Sequence, residues 1–145
     1  MGKITTAQKL LGSIILGAAL SAMGCFLAIP VAIMYYQSTR EYVATAEVGV
    51  DADAVYRAAI KEAEARSSTI KIIKRDDSGR LLEITDGVQG ASFKAVSLDR
   101  ERAEIVVVAD VPKSAGGKAK EEELAIRIIR IVADSLGVRY EITKK

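Results

Sequence analysis

From Leu10 to Tyr36 the chain carries no charged residue, and this run bounds what the rest can be. Lys3 and Lys9 stand before it, with no acid among the first nine residues. Leu10 to Met23 is mostly apolar and about fourteen residues long. That is the length of the hydrophobic part of an export signal, and short for a membrane-spanning helix. Ala22 and Gly24 are small, as a peptidase groove requires, and Cys25 follows as the single cysteine in 145 residues. The remainder of the chain is therefore expected outside the cytoplasm.

The six residues Leu20-Ser21-Ala22-Met23-Gly24-Cys25 resemble a bacterial lipobox, in which leucine, two small residues and cysteine are usual. Ala22 stands where leucine is common, and Met23 replaces a small residue. The resemblance implies cleavage between Gly24 and Cys25, with lipid attached to Cys25. Each buried methylene contributes about 0.8 kcal/mol, so several acyl chains on one residue give lasting attachment. Residues 1–24 are then a signal peptide, 25–40 a lipid-attached apolar tether, and 41–145 an extracytoplasmic domain.

Two other readings stay open. Cys25 could pack as a small buried hydrophobe. Alternatively, residues 10 to 36 as one helix would span about 30 Å of hydrocarbon, with Lys3 and Lys9 on the cytoplasmic side. Tyr35 and Tyr36 would then lie at the far interface, making an uncleaved single-span anchor. Phe26 after the cysteine resembles lipoproteins sent to an outer membrane, which favours that membrane where one exists.

Half of the residues are apolar, enough for a core and too many for a disordered chain. Removing Lys3 and Lys9 from the 21 basic residues leaves as many bases as the 19 acids. A neutral domain with interspersed signs argues against a nucleic-acid partner and against a polybasic membrane patch. Histidine is absent, which removes the commonest general base and metal ligand. One cysteine cannot close an internal disulfide.

Past Arg40 the pattern becomes that of an α+β domain. Tyr42, Ala44, Ala46, Val48 and Val50 alternate with Thr45 and Glu47, the period of a half-buried strand. Asp51 sits where an N-cap belongs, and Asp53 to Ser67 is amphipathic at helical spacing. Thr69 to Arg75, Arg80 to Thr85, Ser92 to Leu98 and Ala103 to Val111 read as a four-stranded meander. The apolar phase between Phe93 and Val96 shifts, which suggests a bulge. Ala103 to Val111 is apolar on both faces and is expected at the centre of the sheet, covered on both sides. Pro112 to Lys120 reads as a surface loop, Glu121 to Leu136 as a second helix stopped by Gly137, and Val138 to Thr143 as a possible last strand. The predicted order is β-α-β-β-β-β-α-(β), after an apolar N-terminal export or anchor helix. A mainly antiparallel sheet of about five to six strands, with two helices on one face, is the economical packing.

On the second helix, acids in the first turn suit the macrodipole. Leu124, Ile128, Ile131, Val132 and Leu136 are assigned to the sheet. Ile126, Ile129 and Ala133 are assigned to the side, against the first helix or a self-association surface. Together these features resemble a family of small bacterial envelope lipoproteins of unknown function. The resemblance runs from Gly24-Cys25 through Tyr35-Tyr36, the strand and helix start Val48 to Ala59, and the final helix near Glu122 to Leu136. That family usually ends near this helix, so Val138 to Lys145 is a departure. The resemblance implies membrane attachment through Cys25, and no cofactor or reaction.

Chemistry is sparse. Ser114-Ala115-Gly116-Gly117-Lys118 lacks the spacing and hydroxyl of a phosphate loop. Asp76-Asp77-Ser78-Gly79 begins like a calcium loop, but Gly87 falls where the twelfth-position glutamate is needed. With no catalytic constellation, no metal site and no cofactor site assembled, the chain is expected to be a non-enzymatic binding or structural module of the envelope. Its partner is then an envelope protein or a second copy, met through a sheet face carrying Thr45, Glu47, Lys71, Glu83 and Lys94. The alternative is a binder of a small apolar ligand between helices and sheet.

Overall fold

Alternation in Tyr42–Val48 does what a period of two requires. Ala44, Ala46 and Val48 are buried on one face, while Thr45 and Glu47 reach the other. In the computed structural model, residues 30–37 and 42–144 are described. They form β1 (Pro30–Gln37), β2 (Tyr42–Val48), α1 (Ala52–Ala65), β3 (Lys71–Asp76), β4 (Leu81–Thr85) and β5 (Gly90–Ser97). Then follow β6 (Ala103–Asp110), a 3-10 turn (Lys113–Ala115), α2 (Gly117–Leu136) and β7 (Arg139–Lys144). The strands make one sheet in the order β3-β4-β5-β6-β2-β1-β7, antiparallel throughout except for the parallel pair β1–β7. Both helices cover the face that carries Ala44, Ala46, Leu82, Phe93, Ala95, Ile105 and Val107. This is the expected α+β architecture with β6 at the centre, but the described sheet has seven strands rather than the expected five to six. The helices cover β6 on one face, not on both.

Local chemistry sets the helix ends. The Asp51 carboxylate accepts the Ala54 N–H at 3.0 Å, capping α1 as the sequence implies. Gly137 ends α2 at φ +70°, where its N–H and that of Val138 close the last turn on Asp134 and Ala133. The second helix begins at Gly117, so the loop expected from Pro112 to Lys120 shrinks to one 3-10 turn. Gly116 makes the corner at φ +118°, where a Cβ would lie 2.3 Å from Lys120 Cγ. Consequently Glu121 to Glu123 fall in the second turn, and no acid occupies the first. Glu121 is not a dipole device. Its side chain is buried and accepts the Val111 N–H at 3.3 Å, tying α2 to the end of β6.

Three further expectations change. The bulge is in β3, between Ile72 and Lys74, not in β5, whose register with β6 is regular. Val96 points away from the helices because the pleat puts it there, without any irregularity. On α2 the buried residues are Glu121, Ala125, Ile129, Val132 and Ala133, so Ile129 and Ala133 are the sheet-facing centre. Leu124, Ile128 and Ile131 are half-buried at its flank. Finally, Pro30–Gln37 is a strand, paired to β2 on one side and β7 on the other. The sheet therefore takes in part of the run assigned to the tether, and a single helix over residues 10 to 36 does not hold for residues 30–36. The remainder of that run, with the expected export or anchor helix, lies outside the described residues. Among the described residues, no helix is long and apolar enough to cross a membrane.

Candidate functional site: a groove between the helices and the sheet

The β3–β4 hairpin is locked by side-chain hydrogen bonds within its turn and to α1. Asp76 Oδ1 accepts the Ser78 N–H, the Ser78 hydroxyl and the Gly79 N–H at 3.1, 2.8 and 3.1 Å. The Asp76-Asp77-Ser78-Gly79 stretch is thus an Asx turn, and Arg80 closes the loop in the left-handed region at φ 51°. Tyr56, buried on α1, donates its hydroxyl to Asp77 Oδ1 at 2.8 Å, and Arg75 Nε donates to the same oxygen at 2.7 Å. Burial, and then the Asp77 carboxylate, push the Tyr56 phenol up. The Arg75 hydrogen bond, and then that of Tyr56, hold the Asp77 carboxyl below the usual range. Arg80 Nε donates to Asp53 Oδ1 at 2.7 Å, a second strut from the hairpin to α1.

At the other end of α1 the layers diverge. Between the C-terminus of α1, the flank of α2 and strands β4 and β5 lies an open cavity of about 280 Å³. A smaller pocket of about 50 Å³ shares Arg66, Ile70, Ile84, Ile128 and Ile131 with it and reaches down to Leu82, Phe93 and Val132. The two are one groove. Its walls are branched aliphatic side chains and its floor is the core itself, the makeup of a small-molecule site.

The rim is polar and already largely paired. Thr85 donates its hydroxyl to the Gln89 carbonyl at 2.9 Å, and Asp86 Oδ1 accepts the N–H groups of Val88 and Gln89, both at 2.9 Å. Those N–H groups, Gln89 first, keep the Asp86 carboxyl below its ordinary value. Arg66 Nη1 donates to the carbonyl and the carboxylate of Glu62. Arg127 Nη2 donates to Glu123 Oε1 at 2.6 Å, and Lys120 Nζ donates to the other oxygen at 2.8 Å. Glu62 and Glu123 are both held below the usual carboxylate range, by Arg66 in the first case and by Lys120 and then Arg127 in the second.

The residues singled out from sequence lie elsewhere. Gly24 and Cys25 are outside the described residues. Thr45, Glu47, Lys71, Glu83 and Lys94 do share the open face of the sheet, but they do not converge. Lys94 and Thr45 are both paired with Val106, which stands between them on β6, and Glu47 sits opposite Glu104. The groove residues were not anticipated individually. A hint of them lay in α2, where Leu124, Ile126, Ile128, Ile129 and Ile131 exceed what one sheet-facing stripe needs.

No family model and no curated protein match the chain. Among solved structures it is similar to the Zhui aromatase/cyclase from a Streptomyces species. The identity is 13%, over 68% of this chain and 88% of that one, with a TM-score of 0.38. A likeness of this size transfers no residue, ligand or reaction. That neighbour is an enzyme by its name, against the expectation of a non-enzymatic chain. The expectation rested only on the lack of an assembled constellation in the sequence, and it is withdrawn.

Proposed function

We propose that the chain is an envelope protein held at a membrane by its N-terminal segment, through lipid on Cys25, whose domain binds a small apolar molecule in the groove. The observation that carries the binding reading is the continuity of Ile70, Ile84, Ile128 and Ile131 with the core residues Leu82 and Phe93. Apolar surface left open in this way favours an occupant by about 25 cal/mol for each Å² it covers. The open sheet face holds a hollow of its own, lined in part by the polar side chains of Glu83, Ser92 and Asp110. The aliphatic groove instead reaches Leu82 and Phe93, which favours a small apolar ligand there over an envelope protein. The export reading rests on Lys3, Lys9, the apolar run and the lipobox-like end.

Two measurements test these halves separately. Intact mass of the mature protein is expected to show residues 1–24 removed and acyl mass on Cys25; a full-length, unmodified chain defeats the lipid anchor. For the groove, full chain in phosphatidylcholine nanodiscs is exposed to diazirine-bearing dodecanol and dodecanoic acid, and the labelled residues are mapped. Labelling is expected on the α2 flank around Ile128. Ile128→Trp, which fills the groove from a half-buried position, is expected to cut that labelling at least about tenfold, an ordinary loss for a blocked hot-spot pocket. If neither probe labels this flank above the level of Ile128→Trp, the groove is not a binding site.

A further inference from the structure

The groove has a polar end at which two arginines keep unused donors. Its acceptors are engaged in part: Asp86 Oδ1 by the backbone of Val88 and Gln89, the Gln89 carbonyl by Thr85, one oxygen of Glu62 by Arg66, and both oxygens of Glu123 by Lys120 and Arg127. The donors are not exhausted. A guanidinium carries five N–H groups in a planar fork. Among the described residues, Arg66 and Arg127 each engage one terminal nitrogen in the bonds above, Nη1 and Nη2 respectively. Both side chains remain part-exposed, and both line the larger cavity together with Ile84, Leu124, Ile128 and Ile131. Glu123 is shared between two cations, so Arg127 is not matched one to one.

Two forks beside an aliphatic trough complement a molecule with an apolar body and a planar, acceptor-only anionic end. Guanidinium pairs bidentately with carboxylate, and such charge-assisted bonds are about twice as strong as neutral ones. The volume narrows the choice further. About 280 Å³ with a 50 Å³ extension is at the lower limit for ligand pockets. It suits one short chain or a small ring system and is small for a two-chain lipid. We infer that the groove's ligand is a single-chain or small-ring carboxylate, with its apolar body on Ile84, Ile128 and Ile131 and its carboxylate held by Arg127 and Arg66. This rests on the groove being a binding site, as proposed above.

The test compares the two photoreactive probes, which differ only in the head group, in mildly alkaline buffer on the same full-length protein in phosphatidylcholine nanodiscs. Dodecanoic acid is expected to label the α2 flank about tenfold or more above dodecanol, the range that charged hydrogen bonds supply. Arg127→Gln is expected to remove most of that preference, read as the ratio of acid to alcohol labelling on the same variant. Arg127→Lys is expected to restore only part of it, because a point charge lacks the fork. Arg66→Gln serves as the second variant, with circular dichroism confirming the fold of each. Equal labelling by acid and alcohol, or an acid preference indifferent to both arginines, overturns the inference and leaves the groove reading standing. Failure of both probes to label the groove overturns both.

Discussion

Replacing Phe93 by alanine is expected to lower folding stability by about 3–5 kcal/mol. Phe93 is 2% exposed and heads the fully buried side chains by volume. It sits on β5 opposite Val107, under α1, at the bottom of the groove. Removing the ring forfeits its transfer energy and leaves a space that the neighbouring strands, fixed by their ladders, cannot fill. Denaturant unfolding of the full chain checks it: the midpoint should fall with the slope unchanged. A loss below about 1 kcal/mol would mean that the site collapses freely, contrary to the close packing described.

The second large effect comes from adding volume instead of removing it. Ala44→Leu is expected to cost about 1–3 kcal/mol, and could exceed that if α2 is forced away from the sheet. Ala44 is fully buried on the helix face of β2, beside Val107, and α2 lies over β2 and β6. The layer between helix and sheet is unusually small-sided: Ala44, Ala46, Ala109, Ala125 and Ala133 are all buried. Small side chains bring the backbones close, and a leucine has nowhere to go. Thr45→Leu, one residue along on the open face, is the control and should stay within about 0.5 kcal/mol. Equal thermal shifts for the two variants would refute the packing of α2 on β2.

These effects explain which parts of the molecule can be read from residues in order. Alternation from Val43 to Val48, the Asp51 cap and the stop at Gly137 are local, and each appears where its chemistry places it. Local rules fail where the deciding partner is distant. Pro30–Gln37 has no alternation, since apolar residues fill it on both sides, and its strand state comes from β2 and β7. On α2, apolar residues occupy nearly every position near Ile129, so helical spacing alone does not say which stripe meets the sheet. The groove is harder still. Arg66 and Ile70 follow α1, Ile84 lies on β4 and Arg127 on α2; none carries a motif, and only the packing of three elements sets them side by side. The cation-π contact of Arg130 on Tyr140, 5.8 Å from the ring centroid, is likewise invisible until β7 is in place.

The parallel pair β1–β7 also has a meaning in time. Pro30 is matched with Arg139 and Tyr35 with Lys144, so one end of the sheet waits for strands from opposite ends of the described chain. Contacts of such separation form late, because the loop-closure entropy must be met before they contribute. A chain halted before Arg139 would present β1 with a bare edge, available to any extended polypeptide nearby. If the chain is exported, crossing a membrane unfolded and closing only afterwards, this late closure keeps it threadable, and α2 with β7 is the latch that ends the process.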